Sequence, residues 1–217
     1  MKPTTSAILT ILGAVPLAAM LTIGCASSKG YQKAGTTAAN LQDSGDHIAT
    51  TQKLLNDVMT SLNDLVDNPH TDLTKQYKRF DAAKTKLDAS AKKVRSTAEQ
   101  IGKDRDSYAK TWSAQLGKIK DEEMRAASHA RMDEVNGRLN DILTTYQSVH
   151  ASYTPFSADL KDVQTVLGVD LSTSGLAIVR PAVRKANDHV GPLKASIDDL
   201  ERQFRALGVE ISPKSQD

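Results

Sequence analysis

The stretch Met132–Leu167, MDEVNGRLNDILTTYQSVHASYTPFSADLKDVQTVL, decides the fold. Within it Met132, Val135, Leu139, Ile142, Tyr146, Val149, Tyr153, Phe156, Leu160, Val163 and Leu167 follow one another at alternating steps of three and four. Every member is apolar or aromatic. A 3.5-residue repeat keeps one stripe of a helix facing its partner if the helices supercoil left-handedly. Thr154-Pro155 falls inside the run and resembles a helix start. The seam keeps its phase across the proline, which predicts one long helix kinked at Pro155 rather than two helices.

Similar seams flank this one. Upstream, Leu73, Tyr77, Phe80, Lys84, Leu87, Ala91, Val94, Ala98, Ile101, Arg105, Tyr108, Trp112, Gln115 and Ile119 alternate in the same way, with Lys84, Arg105 and Gln115 as polar members. Before that, Leu41, Ile48, Leu55 and Leu62 recur every seven residues, and Val58 and Leu65 fill the interleaved positions of the second half. Downstream, Leu176, Val179, Val183, Ala186, Val190, Leu193, Ile197, Leu200, Phe204 and Leu207 form a fourth seam. Pro181 lies near its start and Pro192 is expected to bend it. Asn68-Pro69-His70-Thr71, Gly117–Glu123 and Gly168–Gly175 separate the seams, with Thr71 or Asp72 and then Asp121 as helix caps.

Four stripes joined by short turns predict an all-α fold, an elongated antiparallel four-helix bundle over 38–207. Helices two and three span about 65–70 Å each and the outer two are expected near 30 residues, so a long coiled-coil hairpin should protrude. Residues 26–37 (ASSKGYQKAGTT) read as a flexible tether behind Cys25, making 25–37 one segment, and 208–217 read as a polar tail.

Composition excludes several chemistries. The chain has 217 residues and one cysteine, so an internal disulfide, a Cys-based zinc site and a Cys-x-x-Cys pair are ruled out. A net charge of +2 and 4% aromatics argue against nucleic acid as a partner. Ser90-Ala91-Lys92-Lys93 contains a Ser-x-x-Lys pattern, but its companion motifs are absent, and short Ser/Lys pairs are common in lysine-rich helices. His47, His70, His129, His150 and His189 are never three or four residues apart, so no helix presents a two-His metal face. No catalytic, cofactor or metal residue is assigned, and no enzymatic activity is expected. The polar members of the second seam have a bland reading, in which long stems pack while charged heads reach water. Their sharper reading is control of register.

The one site assigned is Cys25. Residues 1–24 begin with Lys2 and continue as an apolar run interrupted by Pro16, too short for a comfortable membrane span. The segment ends Leu21-Thr22-Ile23-Gly24-Cys25, which resembles a bacterial lipoprotein signal. Gly24 and Cys25 fit that pattern, and Thr22 departs from the preferred Leu. The resemblance implies cleavage after Gly24 and lipidation of Cys25 with acyl chains, palmitate among them. An uncleaved anchor and an ordinary secreted form with a free thiol are the alternatives. Two or three acyl chains hold a protein firmly where one is marginal. Ala26, in place of the Asp that favours inner-membrane retention, points to the outer membrane, facing the periplasm.

The run Leu65–Leu207 further resembles a family of bacterial envelope lipoproteins known as a domain of unknown function, family 2959. Leu65-Val66, Leu73–Tyr77, the segment KTWSAQL around Trp112, Arg125–Arg138 and Thr154-Pro155-Phe156 before Val163–Leu167 carry the likeness. It implies an exported helical protein and transfers no catalytic or binding residue. The expected function is a non-enzymatic envelope scaffold, spacer or adaptor. Its partners would be the membrane, through the lipid, and an unidentified envelope protein, with homo-oligomers formed through the protruding hairpin. The alternative is a sensor bundle holding a small molecule or metal, marked by a buried pocket lined by His150, Tyr146 or Trp112.

Overall fold

A computed structural model describes residues 29–213, with side chains from residue 34. Four helices follow in order: α1 Lys29–Asp67, α2 Thr74–Leu116, α3 Glu122–Val169 and α4 Thr173–Glu210. α1 packs on α2 and α4, and α3 packs on the same two, while the diagonal pairs do not meet. The result is an antiparallel square bundle, and its α2–α3 face is the thinnest of the four.

The seams became the core. All members of the third and fourth seams are buried or half-buried, and Leu139, Phe156, Leu160, Val163, Ala186 and Leu193 are at most 1% exposed. Each fully buried Leu or Phe contributes about 1.5–3 kcal/mol of transfer free energy. In α1 the seam has polar members the seven-residue spacing did not reveal. Ser44 and Thr51 complete the alternation Leu41, Ser44, Ile48, Thr51, Leu55, Val58 and are themselves buried. Their hydroxyls are satisfied one turn back, Ser44 Oγ donating to Asn40 O at 2.5 Å and Thr51 Oγ1 to His47 O at 2.8 Å. Burial of a hydroxyl costs little when its hydrogen bond is kept.

α3 is one helix, with Pro155 inside it, and α4 is continuous through Pro181 and Pro192. All three prolines are exposed, as are Ala151, Ala177 and Asp188, whose carbonyls lose their i+4 donors. Each missing bond therefore falls on the solvent side, where water satisfies the carbonyl.

Several boundaries differ from the sequence reading. The first described residue, Lys29, is already in α1, so 29–37 of the expected tether is helical. α4 continues to Glu210, and Ile211 is buried, so the expected tail 208–217 starts within the bundle. The outer helices consequently hold 39 and 38 residues rather than about 30. The expected turn 168–175 shrinks to 170–172, because Gly168 and Gly175 are both helical. A Cβ at Gly175 would lie 2.0 Å from the carbonyl oxygen of Asp170, so this tight reversal requires glycine. Ser172 caps α4 by accepting from Gly175 N at 3.2 Å, and Asp121 caps α3 by accepting from Met124 N at 2.7 Å. Asp72 Oδ1 accepts from Thr74 N at 2.9 Å at the start of α2.

Longer outer helices leave a shorter overhang than expected. Glu210, the last residue of α4, pairs with Arg131 at 2.5 Å and also with Arg138. Residues 122–130 of α3 run past that point, about 14 Å of helix, and Asp121–Ala127 are all exposed. The overhanging tip lies at the end of the bundle that carries the start of α1 and the end of α4. Gly35 in α1 faces Pro213 there.

Candidate functional site

The α2–α3 face holds a strip of polar side chains that cross between the two helices. Lys84 is 5% exposed, and its Nζ lies 2.7 Å from Asp88 Oδ2 one turn on. Its charged head is thus buried and paired, where the bland sequence reading has it reaching water. The Tyr153 hydroxyl, from α3, donates to Asp88 Oδ1 at 3.2 Å. Burial, and then the negative charge of Asp88, push the Tyr153 phenol well above its usual range, so it remains a donor. Nearby, Gln164 donates to Asp81, and the Tyr77 hydroxyl donates to Gln164 O at 3.2 Å. Arg105 reaches Asn140 on α3 at 2.5 Å. Two of the three polar seam residues of α2, Lys84 and Arg105, therefore sit in this polar strip.

Two spaces open along the same face. One is a small apolar hole of about 40 Å³, walled by Ile48, Val94, Val149, Ile197 and Leu200. The other is an open cleft of about 440 Å³ whose walls carry Lys84, Lys92, Arg95 and Lys161. They share Ala91, His150 and Tyr153. Tyr146 also borders the hole, so two of the three residues expected to mark a ligand pocket are there. Trp112 is elsewhere, near the tip, where its Nε1 donates to Ser128 Oγ at 3.0 Å.

The other residues weighed in the sequence are dispersed. The Ser90 hydroxyl lies 2.7 Å from that of Thr51 across the α1–α2 interface, so the Ser-x-x-Lys serine contacts a neighbouring helix. His129 pairs with Asp133 at 3.0 Å on the tip, and His189 Nδ1 lies 3.2 Å from Asp159 on the α3–α4 face. Among the described residues no group of three or more His, Cys, Asp or Glu is placed to hold a metal. No helix among them is long and apolar enough to cross a membrane. Cys25, the site assigned from the sequence, and the expected signal 1–24 lie outside the described residues.

One residue escaped the sequence reading altogether. Gln76 is fully buried at the α1–α2 turn. Its amide nitrogen lies 3.0–3.1 Å from Asp64 O, Asp64 Oδ2 and Asn68 O, and its oxygen accepts from His70 N at 2.9 Å. A helix pattern alone gives no signal for such a clasp, because Gln76 is one place off the seam.

The model of the family described as Protein of unknown function (DUF2959) matches residues 24–206. This chain belongs to DUF2959. The match begins ahead of Cys25 and takes in all of α1, α2 and α3 and most of α4, a longer span than the resemblance over Leu65–Leu207. No curated protein and no solved structure matches the chain. DUF2959 therefore places the chain in a family and assigns no activity to the α2–α3 face.

Proposed function

We propose that this DUF2959 protein is a non-enzymatic lipoprotein, anchored through Cys25 to the periplasmic face of the outer membrane, that acts as a helical spacer or scaffold in the envelope. The observation that supports this reading best is that the chain is already helical at Lys29, four residues after Cys25. Four residues span at most about 14 Å. A lipid at Cys25 therefore holds the bundle close to the bilayer by the end that bears the overhanging tip. The opposite end, with the α1–α2 and α3–α4 turns, then stands about 60 Å away, the length of the 39-residue α1. That far end exposes Val169 and Ile178, 89% and 62% accessible, which suits an envelope partner. The tip faces the bilayer in this arrangement, so it is the far end, rather than the hairpin, that reaches outward.

The test is metabolic labelling with palmitate, followed by membrane fractionation. The wild-type chain should take up label, shorten by the signal segment and sediment with outer membranes. Cys25→Ser should abolish the label and leave the longer form, whereas globomycin treatment should leave the longer form with its label. Unchanged processing and fractionation of Cys25→Ser would refute the anchor. Homo-oligomers belong to the same reading, and a sedimentation coefficient independent of concentration would count against them. A second reading, a small-molecule sensor, is favoured by the α2–α3 cleft and its apolar floor.

A further inference from the structure

We propose that the α2–α3 cleft binds a small organic anion carrying an apolar substituent, for which a short-chain carboxylate is the simplest representative. The proposal deepens the small-molecule reading; only its choice of a free anion over a lipid head group rests on the lipid anchor.

Charge selects the head group. Four cationic side chains and one carboxylate, Asp88, line the cleft. Both oxygens of Asp88 are already used, one by Lys84 and one by the Tyr153 hydroxyl. Arg95 pairs with Glu99 at 3.0 Å on the exposed rim. Lys92, on α2, and Lys161, on α3, form no ion pair among the described residues. With a single carboxylate among its lining residues and that one already engaged, the cleft carries an excess of positive charge from both of its walls, which an anionic head group would reduce.

The floor selects the rest of the ligand. The hole behind Ala91 has space for one or two methylene groups. Water there would need two or more polar partners. The Thr51 hydroxyl, which borders the hole, already donates to His47 O and contacts Ser90. An apolar group is the better occupant, and each methylene buried is worth about four-fold in affinity. The cleft volume lies within the range of small-ligand sites. Since α2 and α3 make the thinnest contact in the bundle, entry disturbs little packing.

The cleft is far from the tip, as Ala91 lies some 25 residues, or about 38 Å of helix, before the end of α2. This favours a free anion over a lipid head group within the bilayer.

Isothermal titration of the processed chain in neutral-lipid nanodiscs, with empty discs as blank, tests the proposal. Hexanoate should bind saturably and at least ten-fold more tightly than acetate, inorganic phosphate or hexanol. Ala91→Leu, which fills the hole, should weaken hexanoate at least ten-fold without lowering the melting temperature. Should that variant prove unstable, Lys92→Gln/Lys161→Gln leaves the core untouched and should give the same loss. Absence of saturable heat up to 10 mM hexanoate would overturn the proposal. Equal affinity for acetate or phosphate, or an unchanged affinity in both variants, would do the same. Displacement of hexanoate by discs containing anionic lipid would assign the cleft to a lipid head group and overturn the free ligand.

Discussion

The α3–α4 face and the α2–α3 face share a helix and differ in almost everything else. On the first, two wholly apolar seams meet, and Val163, Ala186, Leu193 and Phe204 are at most 4% exposed. On the second, α2 brings Lys84, Arg105 and Gln115 to its seam, contact is thinner, and its cleft adjoins an apolar hole; the open cleft of about 400 Å³ on the α3–α4 face, beside Arg138 and Gln203, shares no lining residue with that hole. One side of α3 is thus densely packed, and the other is more loosely packed. Long charged side chains at seam positions hold two helices apart more than aliphatic ones do, and the space between them is where chemistry can enter.

That contrast can be broken by mutation. The largest effect is expected on the dense side. Phe204→Ala, on α4, should cost about 3–5 kcal/mol in urea unfolding, through lost burial and a residual cavity. A cost below 1 kcal/mol would mean that this face is not the stabilising one. Next comes the clasp at the α1–α2 turn. Gln76→Ala strands several buried polar groups and should cost about 1–3 kcal/mol. Hydrogen exchange should locate the loosening at 64–76.

A matched pair sharpens the comparison. Ala186→Leu inserts volume where α4 is fully packed and should destabilise by about 1–3 kcal/mol. Ala91→Leu makes the same change beside a hole and should stay within about 1 kcal/mol of wild type. Equal costs for the two would erase the distinction between the faces.

Smaller effects belong to the tip and to the residues just inside it. Arg131 donates to Glu134 at 2.7 Å, and this bond first, then the arginine charge, holds the Glu134 carboxyl below its ordinary value. A carboxyl lowered in the folded state stabilises above its unfolded value and loses that contribution as the pH falls through the folded one. Stability should therefore decline below about pH 4.5, and a little less steeply in Glu134→Gln, as read from thermal melts across pH 3–7. Met124→Ala, at a side chain 63% exposed, should shift stability by no more than about 0.5 kcal/mol.

Much of this fold was legible in the sequence because a seam needs only spacing and apolarity. Leu139, Phe156 and Leu193 declare themselves at fixed intervals, and so the helix count, their order and the continuity through Pro155 followed. Ser44 and Thr51 hid their seam positions because their hydroxyls bond backward within the helix, which sequence pattern does not show. Residues 29–37 looked like a tether because glycine and small polar residues dominate there, yet the start of α1 lies against the end of α4. Packing of this kind overrides weak local propensity. The cleft was harder still. The polar residues of α2 were visible one by one, but that Lys92 and Lys161 line one cleft depends on the register of two helices, which no local pattern fixes.

The most direct test of the anchored-spacer account is energy transfer from labels on the processed lipoprotein to an acceptor dye at the bilayer surface. Labels would be placed at Met124→Cys on the tip and at Val169→Cys at the far end, about 68 Å apart along α3. The account predicts strong transfer from position 124 and essentially none from position 169. Comparable transfer from both, or stronger transfer from position 169, would contradict it.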